Sequence, residues 1–212
     1  MFQPPIFRET RPEVMQGLMR EHPFATLISS ATGRLTADHV PLVLHPEVEG
    51  QGALRGHVAV ANPLFRETDG PIEVMAIFQG PQTYVTPSWY ASKRDHGKVV
   101  PTWNYVVVHA SGTLRFVRET DWLLEHLHDL TAEHERDREL PWQVSDAPAG
   151  FIDRQLKGLV GFEIAISDLA GTWKVSQNKP AADRAGVRSG LLEDGAPEGA
   201  AISDLVEERG RR

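Results

Sequence analysis

IEVMAIFQGPQTYVTPSWYASKRDHGKVVPTWNYVVVHASGTLRFV, residues 72–117, carries the richest β-forming runs of the chain on either side of one loop. Ile72–Phe78 is almost continuously apolar, which predicts a buried strand, and Gly80-Pro81 separates it from a shorter run at Thr83–Thr86. A loop from Pro87 to Gly97 follows, then Val99–His109 and Gly112–Val117 as two more strands. Upstream, Phe24–Ser30 reads as a strand, ATG at 31–33 as its turn, and Arg34–Leu44 as its hairpin partner; Leu54–Ala61 then alternates apolar and polar residues. Downstream, Val160–Ile166 reads as a final core strand that Thr172–Ser176 extends. Short strands with regular turn signals predict an antiparallel barrel, closed or partly closed.

Helical spacing surrounds these strands. Residues 11–22 place Val14, Leu18 and Met19 on one face, and His22-Pro23 ends that helix. Residues 120–138 set Trp122, Leu123, Leu127 and Leu130 on an apolar stripe, with Glu125, His126, Asp129 and Glu133 outside it and Thr120 as N-cap. Another helix is expected over Pro148–Leu159. Beyond Pro180, short helical pieces at Pro180–Gly186 and Ile202–Glu208 lie in sequence poor in apolar residues, so the last dozen positions are expected to be poorly ordered. The fold class is α+β, mainly β. Residues 1–180 are expected to form one domain with a helical insertion at about 120–159, and 181–212 a short helical or partly disordered tail.

Composition narrows the functions available. The hydrophobic fraction of 41% and the charged fraction of 24% are those of an ordinary globule. The formal net charge of -7 works against an extended phosphate-binding surface, so any contact with DNA is expected to be weak or indirect. The local basic elements are Lys93-Arg94 with Lys98, the Lys174–Lys179 block, and Arg209, Arg211 and Arg212. The nearest approach to a recognition helix, Pro180–Leu192 with Arg184 and Arg188, is short and interrupted by Gly. Zero cysteines exclude disulfides, thiolate metal sites and Cys nucleophiles. With no leader-like start and no apolar run of about 18 residues, the expectation is a soluble, cytoplasmic chain without a membrane partner.

The densest cluster of unusual residues runs from Thr83 to Phe116, where Tyr84, Trp89, Tyr90, Trp103 and Tyr105 alternate with Ser88, Ser92, Lys93, Lys98, Thr102 and Asn104. Planar faces beside hydroxyl, amide and ammonium donors suit a ligand with a flat ring and an anionic tail; a packed barrel corner with a solvated loop would have the same composition. No G-x-S-x-G elbow, P-loop or G-x-G-x-x-G is present, and no catalytic residue is indicated. None of the nine histidines shows HExxH spacing or a companion ligand set, so no metal site is expected. His57 and Asn62, within GHVAVANP, stand out as pocket residues.

AIFQGPQTYVTPSWY at 76–90, HGKVVPTWNYVVVHASGTLRF at 96–116 and GTWKVSQNKPAADRAGV at 171–187 resemble signature blocks of the PaiB family of FMN-binding negative transcriptional regulators. HPFATLIS at 22–29, HVPLVL at 39–44 and GHVAVANP at 56–63 agree with it, and the resemblance covers roughly residues 1–190. It implies an FMN-binding split β-barrel with peripheral helices, like that of pyridoxamine-phosphate oxidases and flavin reductases, and a homodimer with FMN at the subunit interface. Carried over by position, the flavin site draws on Ser88, Trp89, Tyr90, Lys93, Lys98, Thr102, Trp103 and Asn104, with Lys174, Ser176, Gln177 and Asn178 as the other wall. Two functions follow from the resemblance: an FMN-binding negative regulator of transcription whose effect depends on flavin or on a partner, or a flavin-dependent oxidoreductase of the flavin reductase or pyridoxamine-phosphate-oxidase type.

Overall fold

The computed structural model describes residues 1–30, 33–148 and 150–210. In chain order its elements are β1 (Arg8–Glu9), α1 (Pro12–Glu21), β2 (Phe24–Ser29), β3 (Thr36–Pro41), β4 (Val43–His45), β5 (Ala53–Ala59), α2 (Pro63–Arg66), β6 (Ile72–Val85), α3 (Ser92–Asp95), β7 (Thr102–Val117), α4 (Thr120–Glu135), α5 (Phe151–Leu156), β8 (Leu159–Lys174), α6 (Ala181–Asp194) and α7 (Gly199–Gly210). The turn expected at 31–33 lies, but for Gly33, outside the described residues, as do Arg211 and Arg212.

The strands join in the order β3-β2-β6-β7-β8-β5-β4, with β1 on β8. β2 pairs antiparallel with β3 from Phe24↔Pro41 to Ser29↔Thr36, and with β6 from Thr26↔Ile77 to Ser29↔Val74. β5 pairs antiparallel with β8 from Ala53↔Ala165 to Ala59↔Leu159. Between β6 and β7 the direction follows from two contacts: Thr113 donates to Glu73, while Gly80 lies against Val106, so rising numbers on one strand meet falling numbers on the other.

Gly80-Pro81 does not end the strand that begins at Ile72; β6 runs through it. The cause is close packing, since a Cβ on Gly80 would stand 2.6 Å from the Leu18 side chain and 3.4 Å from Val106 Cβ. Pairing with β2 stops at Ile77, so the missing N–H of Pro81 falls beyond that ladder. In the same way 102–117 and 159–174 are each one strand of 16 residues rather than two pieces. The run 34–44, by contrast, is divided. Pro41 closes β3, the Leu42 N–H turns to the Pro23 carbonyl at 3.0 Å, and Val43–His45 pairs with β5 instead.

Packing divides the chain into two compact units, one of Met1–Leu18, Gln79–Val108 and Ala170–Arg212, the other of Met19–Phe78 and His109–Leu169. In the second unit Leu27, Leu54, Phe78, Leu114, Phe162 and Ile164 form a core almost closed to solvent. α4 turns its Leu123 and His126 inward there, which corrects the expected placing of His126 on the outer face. The His126 ring stacks on Trp122 at 5.7 Å, and its Nε2 meets His57 Nδ1 at 3.1 Å. α4 also begins without a side-chain cap, so Thr120 is its first residue rather than its N-cap.

In the first unit α6 continues past Gly186 and Gly190 because those glycines make room for Trp89. A Cβ on Gly190 would strike the Trp89 indole, and one on Gly186 its carbonyl oxygen. α6 then stops at Gly195, left-handed at φ 67°, and α7 packs back against it. The described end of the chain is ordered by charge as well as by apolar contact. Glu9 is buried and ion-paired at 2.6 Å to both Arg11 and Arg209, and the Arg209 guanidinium lies 5.3 Å from the centre of the Trp173 ring. A buried carboxylate held by two guanidiniums gives this C-terminal helix the anchor that its apolar content alone does not supply.

Candidate functional site

Twelve of the fourteen residues singled out from the sequence belong to the first unit, and their side chains fall into three groups. The first is a set of donors. Lys174, at the end of β8, places its Nζ 2.6 Å from Thr102 Oγ1 and 2.6 Å from the Trp103 carbonyl at the start of β7. Lys93 donates to Ser88 Oγ at 3.1 Å from the turn at Pro87–Trp89. Lys179, which the site reading missed, lies 4.8 Å over the Tyr90 ring. Lys98 is exposed, its backbone N–H closing a turn onto His96 Nδ1 at 3.0 Å. Among the described residues none of these four lysines forms an ion pair with a carboxylate.

Lys174 is the most informative of them. Burial, and then the neighbouring charge of Lys179, hold its pKa below the ordinary lysine value. An ammonium disfavoured by both, held by a hydroxyl and a carbonyl and 5.9 Å from the centre of the Tyr105 ring, is stabilised by an incoming anion. The donor set therefore fits a phosphate. Lys174 still has one N–H unassigned, and the exposed lysines of the loop retain more.

The second group is bound within the chain. Asn104 is wholly buried, and its amide exchanges hydrogen bonds with Ser176 Oγ at 3.0 and 3.2 Å. The Gln177 amide braces its own turn, accepting the Val175 N–H at 2.8 Å and donating to the Ile6 carbonyl at 3.2 Å. Tyr90 is 2% exposed, with Oη buried and without a protein partner among the described residues; burial, then the Asp183 charge, raises its pKa. Asp183, a second residue the sequence did not single out, accepts from the Ser92 N–H at 2.9 Å and from the Ser92 hydroxyl, tying the loop to α6. Burial raises the pKa of Asp183, but the bonds from Ser92 and the charge of Lys179 outweigh it, and the net direction is down.

The third group is aromatic. The rings of Tyr84 and Trp103 meet edge to face at 6.1 Å, and together with Trp89 they line an open cavity of about 600 Å³. Asn178 is exposed.

His57 and Asn62 lie in the second unit and have local partners there. His57 and His126 share a hydrogen bond, and burial lowers the pKa of both, with that of His126 falling to about 3. Asn62 caps α2 through the Leu64 N–H at 2.8 Å and donates to Asp38 at 2.8 Å. Among the described residues there is no group of three His, Asp or Glu suited to a metal ion and no helix long and apolar enough to cross a membrane.

Residues 1–168 match the family model described as "Putative FMN-binding domain". The chain is similar to "Protease synthase and sporulation protein PAI 2" of Bacillus subtilis, with 30% identity over 209 residues, 99% of this chain and 98% of that one. It is also similar to an uncharacterized protein of Emericella nidulans, with 32% identity across 99% of this chain and 98% of that one. Among solved structures, the FAD and heme binding protein from Mycobacterium smegmatis superposes with a TM-score of 0.59 at 15% identity, over 79% of this chain and 73% of that one. The flavocytochrome Anf3 from Azotobacter vinelandii gives 0.54 at 11% identity, over 79% and 69%. At these identities the structural likeness concerns the fold, a split barrel, mainly antiparallel β with peripheral helices.

Proposed function

Because the chain belongs to the PaiB-type FMN-binding family, we propose that it holds FMN on the lysine-bearing wall of its first unit and acts as a negative regulator of transcription through that flavin. The observation that carries the reading is Lys174: a half-buried ammonium with no carboxylate partner among the described residues, its pKa lowered by burial and by Lys179. Lys174, with Thr102 beside it and Lys179 nearby, would hold the phosphate. Lys93, Lys98 and Ser88 would reach it from the loop. Trp103 anchors Lys174 through its carbonyl, and Asn178 offers the flat ring system an exposed amide. Asn104, Ser176 and Gln177 would set the backbone of that wall rather than touch the ligand. When bound, FMN supplies redox chemistry, and the chain's own residues bind and orient it.

Action through the flavin, rather than by reading a DNA sequence, is supported by α6. Its Arg184 donates to the Lys179 and Gly210 carbonyls and its Arg188 pairs with Glu207, so both arginines are engaged inside the protein. A homodimer is part of the proposal, because Val100, two residues from Lys98, is 68% exposed, an apolar surface that a second copy would cover. Sedimentation of the FMN-bound protein at micromolar concentration should give a dimer, and a monomer rejects that part. A second reading, a flavin-dependent oxidoreductase, is favoured by the aromatic cavity at Trp103, which could admit a small reactant.

The test is titration with FMN, followed by flavin fluorescence, of Lys174→Ala, Lys98→Ala and Lys157→Ala, with folding checked by circular dichroism. A charge-assisted bond in a partly desolvated site is worth roughly 1.5–3 kcal/mol, or about ten- to hundredfold in affinity. Lys174→Ala should lose about that much and the exposed Lys98→Ala less. Lys157, exposed at the end of α5, should behave as wild type. Equal affinity in all three variants removes Lys174 and Lys98 from the site.

A further inference from the structure

The aromatic cavity of the first unit has an electrostatic character opposite to that of the lysine wall. It is lined by Tyr84, Trp89 and Trp103, by Gln82, and by Asp194 and Glu198; among the described residues no Lys, Arg or His lines it. Three sources of negative potential converge there. The faces of tyrosine and tryptophan rings carry the negative side of their quadrupole. Two carboxylates stand at the rim. The third source is α6, whose 14 residues end at Asp194 with no basic residue in the last turn, so none of that turn's own side chains offsets the partial negative charge of its terminal carbonyls.

The walls are also tied together. The Trp103 indole N–H donates to Gln82 Oε1 at 2.8 Å, and the Gln82 backbone N–H donates to Glu198 Oε2 at 2.7 Å, so a single residue fixes both a ring and a carboxylate. Tyr84 and Trp103 meet edge to face, which leaves ring surface open to the cavity, and each is 48% exposed. A space of about 600 Å³ is large enough for a small organic molecule and open enough to admit one. Such a site repels phosphate and carboxylate ligands and attracts a flat or bulky cation, whose charge can sit over a ring and near a carboxylate together.

We propose that this cavity binds an organic cation of the aromatic or quaternary ammonium class. The inference deepens the flavin reading and rests on it only for the ligand's role: Trp103 belongs to both sites through its carbonyl and its ring, so the cation is the molecule that would meet the flavin.

The probe is benzyltrimethylammonium, titrated into FMN-free protein and followed by tryptophan fluorescence, with benzoate as a ring of opposite charge. Saturable binding is expected for the cation and not for benzoate. The double variant Asp194→Asn, Glu198→Gln should weaken it about tenfold, and Trp103→Leu several-fold, with circular dichroism unchanged. No saturable response up to about 10 mM, equal binding of benzoate, or an unchanged affinity in the double variant overturns the proposal. FMN uptake, read separately from flavin absorbance, distinguishes the two readings. Failure of the cation with FMN uptake intact defeats this inference alone, whereas failure of FMN uptake with the cation bound defeats the flavin reading alone.

Discussion

Glu9→Gln removes the buried carboxylate that joins β1 to α7 and leaves the guanidinium of Arg209, its side chain 8% exposed, facing a neutral amide. Burial alone would raise the pKa of Glu9, but the hydrogen bonds from Arg11 and the bond and charge of Arg209 outweigh it and hold the carboxyl at about 2, against an ordinary 4.5. Because the folded-state value is the depressed one, the stabilisation is fully present above pH 4.5 and is lost as pH falls toward 2. The span between the two values, at about 1.4 kcal/mol per pH unit, corresponds to about 3 kcal/mol at pH 7 and about 1 kcal/mol at pH 3. Urea denaturation of wild type and variant at both pH values measures this. The variant should lose about 3 kcal/mol at pH 7, and the gap should narrow to about 1 kcal/mol at pH 3. A loss under about 0.5 kcal/mol at pH 7, or a gap that does not change with pH, refutes the reasoning.

His126→Phe should flatten the acid limb of the stability curve. With the folded-state value at about 3 and an ordinary one of 6.5, wild type should lose about 3 kcal/mol between pH 7 and pH 4 that the variant does not lose, which urea titrations across that range test. Direct DNA binding should be absent at nanomolar protein and physiological salt, given a net charge of -7 and internally engaged Arg184 and Arg188; a salt-dependent footprint on one defined operator contradicts this.

Strand alternation was legible where a strand's own residues decide its fate, as in β5, whose burial alternates along most of its length. It failed where a distant residue decides. Gly80-Pro81 reads as a break until Leu18 and Val106 are seen to occupy the space that a side chain would need. Gly186 and Gly190 read as helix interruptions until Trp89 is placed against them. His126 falls outside the apolar stripe by periodicity, yet stacking on Trp122 and a bond to His57 bury it, and no local signal announces a partner 69 positions away.

At the candidate site, residue types can be read from the sequence but their orientation cannot. Lys174 and Thr102, expected on separate walls, meet across 72 positions. Asn104 and Ser176 also meet, but with each other, since one amide and one hydroxyl facing inward satisfy one another more readily than either reaches outward. Lys179 appeared in the sequence only as part of a basic block, and its place over Tyr90 depends on the turn after Lys174. The one available signal was its position within the same block as Lys174, five residues on.

The central claim is that the lysine wall of the first unit holds FMN. The visible absorption spectrum of the purified protein, recorded before and after addition of FMN and removal of the excess, tests it most directly. Retained flavin with an altered band shape, diminished in Lys174→Ala, is the predicted result; a colourless protein that fails to take up FMN contradicts the account.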